Sequence, residues 1–314
     1  MKKKITLALL GLLVAFITLL AAYFLSPIES KHNLKIPSTN PTKLINYLRS
    51  QGYFVNFLDE LFVTIFPAHQ GWVYISKTKL PRYEFLAILH NKGNYYTPFT
   101  IIPGETSYFV LKELAQKFDY NTSTLVQNYK KYRIFKEGNF IANTYNIPNY
   151  FDEQKTIKFL FNHSFAIHKK IAQSYGIDYK GAIYKRALVV ASIIQKEAAN
   201  KKEMPLIASV IYNRLRKKMR LQMDGSLNYG KYSHSKITPQ RIKKDNSYYN
   251  TYKQKGLPKE PVCNVSEDAI KAAFNPADTN YLYFMKKDNT THLFSSSFKE
   301  HRKNIKKRKK RLRE

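Results

Sequence analysis

Glu197 is the residue of this sequence best suited to act as a general acid. It ends the stretch 188–197, LVVASIIQKE, which is apolar on nearly every side and therefore typical of a helix buried in a core. At helical spacing Val190, Ile193 and Glu197 share one face, so we expect the carboxyl group where the apolar stripe ends. Partial burial raises the pKa of a carboxyl group, and an acid that works near neutral pH needs such a rise.

A purely structural interpretation of this glutamate stays open. Lys201 follows Glu197 at the i+4 position. A solvated pair of this kind at a helix end contributes only about 0.3–0.5 kcal/mol to helix stability and has no chemical role. Helical spacing alone therefore does not distinguish a catalytic acid from a surface ion pair.

Two polar clusters further along the chain have side chains that could bind a sugar. Arg220, Gln222 and Asp224 alternate with apolar residues, so they would share one side of a strand. Asn250 and Tyr252 lie in a predicted loop and offer an amide and a phenol to sugar hydroxyls, with an aromatic face for a pyranose ring. Ordinary turn chemistry explains each cluster when it is considered alone.

The sequence predicts neither a metal site nor a cofactor. No cluster of histidines and cysteines has the spacing of metal ligands. The single cysteine, Cys263, excludes an intramolecular disulfide, and a lone cysteine is more often a small buried residue than a nucleophile. The stability of the fold must therefore come from packing.

The N-terminal segment is typical of a membrane anchor. Three lysines precede the uncharged run 5–25, which has the length of a bilayer core, about 31 Å as a helix. A cleavable signal peptide, the alternative, would have a shorter apolar region and a small-x-small cleavage site, whereas this run ends in Tyr23-Phe24-Leu25. We therefore expect a single-pass helix in the cell inner (plasma) membrane, with residues 1–4 in the cytoplasm and the rest periplasmic or extracytoplasmic.

The net charge of +31, together with 24 tyrosines, would also suit a nucleic-acid-binding protein. The expected topology argues against a nucleic-acid partner, because the chain beyond the anchor would lie outside the cytoplasm. Anionic lipid headgroups and the carboxylates of cell-wall peptides are the acidic partners there. Part of the excess charge lies in 301–313, which we predict to be disordered.

The pattern of apolar residues predicts an α+β fold that becomes more helical in its second half. No repeat is visible. We predict helices at 42–49, 81–90, 108–118, 152–175, 184–200 and 205–218, strands at 71–75 and 96–102, and a hairpin of 281–284 with 292–294 joined by 286–289.

Several segments in order resemble the MltG (YceG-like) endolytic murein transglycosylases. Together with the N-terminal anchor they cover most of 95–301, and their order makes the resemblance specific. The segments are EGNFIANTY (137–145), ASIIQKEA (191–198), ASVIYNRL (208–215), MRLQMD (219–224), YNTY (249–252), GLP (256–258), YLYF (281–284) and EH (300–301).

The resemblance implies that Glu197 corresponds to the catalytic glutamate of that family. Many members carry a second glutamate two positions earlier, where this chain has Gln195. Members often have proline after the Gln-x-Asp aspartate, where this chain has Gly225, and the family's Pro-Gly pair after Gly-Leu-Pro is missing here. These differences leave Glu197 as the one expected catalytic carboxyl group.

The resemblance also implies a domain order and a function. The expected domains are a transmembrane helix (5–25), an α+β region (26–128) with a LysM-like subdomain near 70–128, a larger mixed α/β catalytic domain (129–301) and a basic tail (302–314). The implied enzyme is a membrane-anchored peptidoglycan lytic transglycosylase, a lyase that cleaves MurNAc–GlcNAc β-1,4 bonds, leaves 1,6-anhydro ends and terminates nascent glycan strands.

The expected substrate-binding residues are Gln222, Asp224, Asn250 and Tyr252, and the expected partner is the peptidoglycan glycan strand. Penicillin-binding proteins or other glycan polymerases are candidate protein partners. Two alternatives stay open: a glycan-binding protein without activity, and a regulatory partner of the synthesis machinery. A nucleic-acid-binding role would require the opposite membrane topology.

Overall fold

The computed structural model describes residues 2–31, 33–91, 96–288 and 290–311, which form a mixture of helices and strands. This mixture confirms the α+β prediction. The chain divides into two compact units, one made of 1–98 with 146–151 and the other of 99–145 with 152–314. The division falls at residue 98, whereas the sequence prediction set the domain boundary at 128.

The first unit combines short strands with four helices in its described part. Its elements are α1 (Lys2–Leu25), β1 (Pro27–Glu29), β2 (Asn33–Ile36), α2 (Pro41–Ser50), α3 (Phe57–Ile65), β3 (Gly71–Tyr74), β4 (Lys79–Pro81) and α4 (Arg82–His90), and the chain continues into β5 (Tyr96–Thr100). β1 pairs antiparallel with β4, and β2 pairs antiparallel with β3. The inward residues of these pairs join the core that Leu44, Leu48, Phe85 and Leu86 of α2 and α4 form.

α1 is exposed over nearly its whole length. Within the described residues, Thr6–Leu25 is the one helix that is long and apolar enough to cross a membrane, judged by length and composition. Its C-terminal end contacts the first unit, because the Tyr23 hydroxyl donates a 2.6 Å hydrogen bond to Asp59 of α3. Arg82 of α4 forms a buried ion pair with the same carboxylate at 2.9 Å.

The second unit is built around one buried helix. Its elements are α5 (Ser107–Phe118), α6 (Thr122–Tyr132), α7 (Glu153–Ser174), α8 (Ala182–Glu197), α9 (Met204–Arg216), α10 (Pro239–Lys244), α11 (Glu267–Phe274), β7 (Tyr283–Lys286), β8 (His292–Ser295) and α12 (Phe298–Arg311), and the chain enters the segment 146–151 of the first unit through β6 (Thr144–Pro148). α8 packs against α9 and α11. Leu188, Val190, Ile193 and Ile194 of α8 have no exposed surface, which confirms the predicted buried helix. Cys263 belongs to the same core.

The strand predicted at 220–224 in the second unit was wrong, and the predicted hairpin was confirmed. No strand forms at 220–224; the chain there is irregular and then enters a short 3₁₀ helix at Asp224–Leu227. Gln222 adopts a φ of 49°, and this left-handed conformation cannot continue a strand. The predicted hairpin exists as β7 and β8: β7 starts two residues later than the predicted 281–284, and β8 starts at the predicted residue 292. Residue 289 of the connection lies outside the described residues.

The basic tail, predicted to be disordered, is helical as far as Arg311, and 312–314 lie outside the described residues. Lysine and arginine are good helix formers, so a basic run needs only a start signal and an anchor. Ser297 accepts the N–H of Glu300 at 3.2 Å at the start of α12. The ring of His301 stacks on Tyr283 of β7 at 5.2 Å, which anchors the first turns of the helix.

Candidate active site

A cleft of about 620 Å³ opens in the second unit at the C-terminal end of α8. This volume is within the range of small-molecule binding sites. Three segments form its walls: the end of α8, the stretch that follows α9, and the β7–β8 hairpin with α12. The polar side chains that line it belong to Lys196, Glu197, Arg214, Gln222, Asp224, Asn228, Tyr252, Tyr283, Lys286, His292, His301 and Arg308.

Glu197 is the last residue of α8 and lines the cleft, where its side chain is half-buried. Its Oε1 accepts the backbone N–H of Gly225 at 2.6 Å. Burial raises the pKa of Glu197 to about 7; the negative charge of Asp224 adds to the rise, while the Gly225 hydrogen bond and the positive charge of Lys286 oppose it. The group is therefore divided between its acid and base forms near neutral pH, as expected from its position at the end of the apolar stripe.

Gly225 is held against α8 more closely than any side chain would allow. A Cβ at this position would lie 2.5 Å from Cβ of Lys196 and 3.0 Å from Oε1 of Glu197. The missing side chain is what lets the peptide N–H reach the carboxylate. The Gly225 N–H thus holds one oxygen of the Glu197 carboxyl group. Proline, which the resemblance often places at this position, would have no N–H to donate.

Asp224 and Tyr252 lie together on the wall of the cleft. The Tyr252 hydroxyl donates a 2.6 Å hydrogen bond to Oδ1 of Asp224. Burial, the hydrogen bond to Asp224 and the charge of Glu197 all raise the pKa of Tyr252, so the phenol stays protonated. Gln222 lines the same cleft with an exposed side chain, and its backbone N–H donates to the carbonyl of Thr251 at 3.1 Å.

Asn250, predicted to bind sugar, does not line the cleft. Its side chain is fully buried, and its Nδ2 donates to the carbonyls of Ile242 and Asp245 at 2.8 and 2.7 Å. Its Oδ1 accepts the N–H of Tyr252 at 3.1 Å. Because these bonds fix the loop that carries Tyr252, Asn250 supports the site from behind.

Arg214 is a residue of the cleft that the sequence reasoning did not single out. Its Nε donates to the carbonyl of Leu282 at 2.6 Å, and its Nη1 donates to the carbonyl of Leu221 at 2.6 Å. The guanidinium carbon lies 5.1 Å from the centre of the Tyr283 ring. Arg214 therefore ties two walls of the cleft together. The sequence offered one indication of this role, which is that Arg214 lies in the segment ASVIYNRL that resembles the family. The helical pattern argued against it, because a basic residue at the end of an amphipathic helix is usually solvated.

The hairpin wall holds a second feature that pattern alone did not indicate. Glu203, just before α9, accepts both the backbone N–H of His292 at 2.7 Å and its Nδ1 at 2.8 Å. These residues are far apart in sequence, so neither spacing nor periodicity relates them. The pair fixes β8 beside the cleft, while Lys286 of β7 supplies the positive charge that acts on Glu197.

Gln195 stands where many relatives have a second glutamate, and its side chain does not line the cleft. Its Oε1 accepts the backbone N–H and the hydroxyl of Ser266 at 3.0 and 2.8 Å, at the start of α11. The carboxyl groups that line the cleft, within the described residues, are those of Glu197 and Asp224. The described part of the chain also contains no group of three or more His, Cys, Asp or Glu residues arranged to hold a metal ion.

The fold and the cleft define an α+β protein whose candidate site centres on one carboxyl group with a raised pKa. The YceG-like family matches residues 37–307, so the chain belongs to the YceG-like family. This match includes the whole of the cleft apart from part of α12.

Relatives of established name match a shorter part of the chain. An endolytic murein transglycosylase of Bacillus subtilis (strain 168) is 39% identical over 140 residues, which cover 43% of this chain and 39% of that protein. One from Streptococcus pneumoniae (serotype 2, strain D39) is 33% identical over 162 residues, covering 49% of this chain and 28% of that protein. The matched part thus spans less than half the length of these relatives.

A solved structure supports the fold. The crystal structure of a protein from Listeria monocytogenes described as yceG-like superposes with a TM-score of 0.58 at 22% identity. The superposition covers 87% of this chain and 99% of that one. At this identity the likeness extends to the architecture alone.

Proposed function

We propose that this chain is a membrane-anchored lytic transglycosylase that cleaves peptidoglycan strands, with Glu197 as its catalytic residue. The observation that carries the proposal is the raised pKa of Glu197, about 7, in a cleft lined by polar side chains. The names of the curated relatives support the substrate and the endolytic cutting mode. By cutting nascent strands, the enzyme would terminate their elongation.

The proposed reaction needs one group that acts first as an acid and then as a base. Protonated Glu197 donates its proton to the oxygen between MurNAc and GlcNAc, and the bond from that oxygen to C1 of MurNAc breaks. The carboxylate then removes the proton from the C6 hydroxyl of the same MurNAc, whose oxygen bonds to C1 and closes the 1,6-anhydro ring. The proton returns to Glu197 and no water is consumed. A hydrolase would instead use a second carboxyl group to activate water or to attack C1. The other carboxyl group of the cleft, Asp224, accepts a hydrogen bond from Tyr252, and we assign it to sugar binding.

The neighbours of Glu197 support this double role. The Gly225 N–H holds one carboxylate oxygen, so the group keeps its orientation in both protonation states. Gln222, Asp224 and Tyr252 present an amide, a carboxylate and a phenol to the cleft for sugar hydroxyls. Lys286 and Arg308 on the opposite wall would meet the carboxylates of the peptide stems.

The anchor and the remaining partners belong to the same proposal. α1 would cross the cell inner membrane once, with its N-terminus in the cytoplasm and the rest of the chain beyond Leu25 outside it. The LysM-like subdomain predicted near 70–128 would bind glycan, and glycan polymerases such as penicillin-binding proteins would act on the same nascent strands.

The test is mass spectrometry of peptidoglycan strands digested by the full chain and by two variants. Glu197→Gln keeps the shape of the side chain but removes the proton donor, so we expect no 1,6-anhydro ends above background. Glu267→Gln makes the same change at an exposed glutamate of α11 and should retain activity. Anhydro ends released at the wild-type rate by a folded Glu197→Gln variant would refute the catalytic assignment. Retention of glycan by the wild-type chain without release of anhydro ends would identify a binding protein instead.

A further inference from the structure

One face of α3 consists of large apolar side chains that no described part of the chain covers. Phe57, Leu61 and Ile65 follow each other at helical spacing and are 69%, 53% and 62% exposed, and Phe54, just before the helix, is 89% exposed. We call these four residues the α3 apolar face. A cluster of exposed apolar side chains on one helix is a feature of interaction sites, whereas single exposed apolar residues are ordinary.

The two acidic residues of α3 are not part of this face, and both contact other side chains of the first unit. Asp59 is fully buried and accepts hydrogen bonds from Tyr23 and Arg82. Glu60 accepts the hydroxyl of Thr42 at 2.6 Å. Both acids of the helix are therefore engaged with other side chains of the unit, and the α3 apolar face is uncharged.

The α3 apolar face belongs to a helix that is fastened to the end of the candidate membrane span. The Phe24 ring of α1 packs on Phe62 of α3 with a centroid distance of 5.8 Å. One residue earlier, the Tyr23 hydroxyl reaches Asp59. These contacts place α3 beside the point where α1 would leave the hydrocarbon core, and Leu25 at that end is itself 63% exposed.

We propose that the α3 apolar face is a membrane-docking surface, embedded in the boundary between headgroups and acyl chains of the leaflet from which α1 emerges. An interfacial helix of this kind buries its apolar side about 5–10 Å into that boundary. The contacts with Tyr23 and Phe24 favour lipid over a second protein as the occupant, because any bilayer that surrounds α1 also meets α3. The proposal rests on the membrane anchoring included in the proposed function. It gives the first unit a second contact with the membrane besides the span.

The experiment places nitroxide labels on single cysteines of the full chain in vesicles of phosphatidylethanolamine and phosphatidylglycerol. The background is Cys263→Ala, and the labelled variants are Phe57→Cys, Leu61→Cys and Ile65→Cys. Collision with oxygen reports lipid, and collision with a water-soluble nickel chelate reports water. We expect the oxygen-to-nickel ratio at the three positions to exceed several-fold that of a label at Ile183, an isoleucine of α8 that is 65% exposed.

Each result decides one way. A ratio equal to that at Ile183 would show that the face lies in water, and low collision rates with both reagents would show that protein covers it; either result would overturn the docking proposal. A label at Leu13 in α1 separates this proposal from the anchor. Lipid-like values at Leu13 with water-like values on α3 would refute docking alone, whereas water-like values at Leu13 would refute the anchoring itself.

Discussion

Two glutamates in the second unit have similarly raised pKa values but different surroundings: Glu137 is buried, whereas Glu197 is half-buried in the cleft. The pKa of Glu137 and that of Glu197 are both raised to about 7, in each case chiefly by burial. Glu137 accepts the N–H and hydroxyl of Ser107 and the N–H of Gly138. Glu197 accepts one backbone N–H and otherwise meets the cleft. A raised pKa therefore shows only that a carboxyl group is removed from water. Glu197 differs from Glu137 because its side chain also faces the cleft, where a substrate could reach it.

The largest expected difference is between alanine variants at these two positions. Glu197→Ala should lower the rate of anhydro-end formation by at least about 10²–10⁴-fold, because the acid and base are lost, and should leave the fold intact. Glu137→Ala should leave the backbone N–H groups of Ser107 and Gly138 unpaired, at about 1–3 kcal/mol for each buried donor, while the folded fraction keeps its activity. Urea unfolding and single-turnover rates of both variants measure the two effects. If folded Glu137→Ala and folded Glu197→Ala lost activity equally, the two glutamates could not be assigned different roles.

The next effect tests how Glu197 is oriented. Gly225→Ala introduces a Cβ that collides with Lys196, so the N–H moves away from the carboxylate. We expect the rate to fall by about 10²-fold, since a small displacement of a catalytic group has a cost of this size. Gly176→Ala is the control: its Cβ meets nothing within 4 Å, and its positive φ of 64° causes a loss of stability without a collision. A Gly225→Ala enzyme with the wild-type rate would show that the hydrogen bond is dispensable.

The pH dependence follows from the sign of the two shifts. Both pKa values are raised from 4.5 to about 7, so each glutamate holds its proton more tightly in the folded chain than in the unfolded chain. The protonated carboxyl groups therefore contribute to the free energy of unfolding. This contribution is fully present below pH 4.5 and is lost as the pH rises towards 7. Thermal unfolding between these pH values should show this decline, and it should be shallower in Glu197→Gln. The activity of the wild type should fall above pH 7, where Glu197 loses its proton; a flat profile would argue against the acid role.

The smallest effect concerns Tyr252, one of the residues proposed to bind sugar. Tyr252→Phe removes the hydroxyl that Asp224 accepts, and we expect a few-fold rise in KM with little change in kcat. Tyr232→Phe makes the same change at an exposed tyrosine outside the cleft and should alter neither constant. A large loss of kcat in Tyr252→Phe would give the phenol a part in the chemistry itself.

The sequence was informative where one segment carries its own signal. The buried helix and the position of Glu197 at its end follow from the apolar pattern of α8. The pattern of residue types did not reveal contacts that form only in the folded chain: the amide of Asn250, a predicted sugar-binding residue, donates to the carbonyls of Ile242 and Asp245. The pairing of Glu203 with His292 and the bond of Arg214 to Leu282 likewise depend on tertiary contacts that no local periodicity contains.

Cys263 has a consequence for how the folded and unfolded chains would behave in an oxidising compartment. The thiol is fully buried, and burial raises its pKa to about 12, so neither a thiolate nor an accessible sulfur is present in the folded protein. An unfolded chain would expose that thiol and could form a disulfide with a second chain. Covalent dimers on a non-reducing gel would therefore report the fraction of molecules that failed to fold.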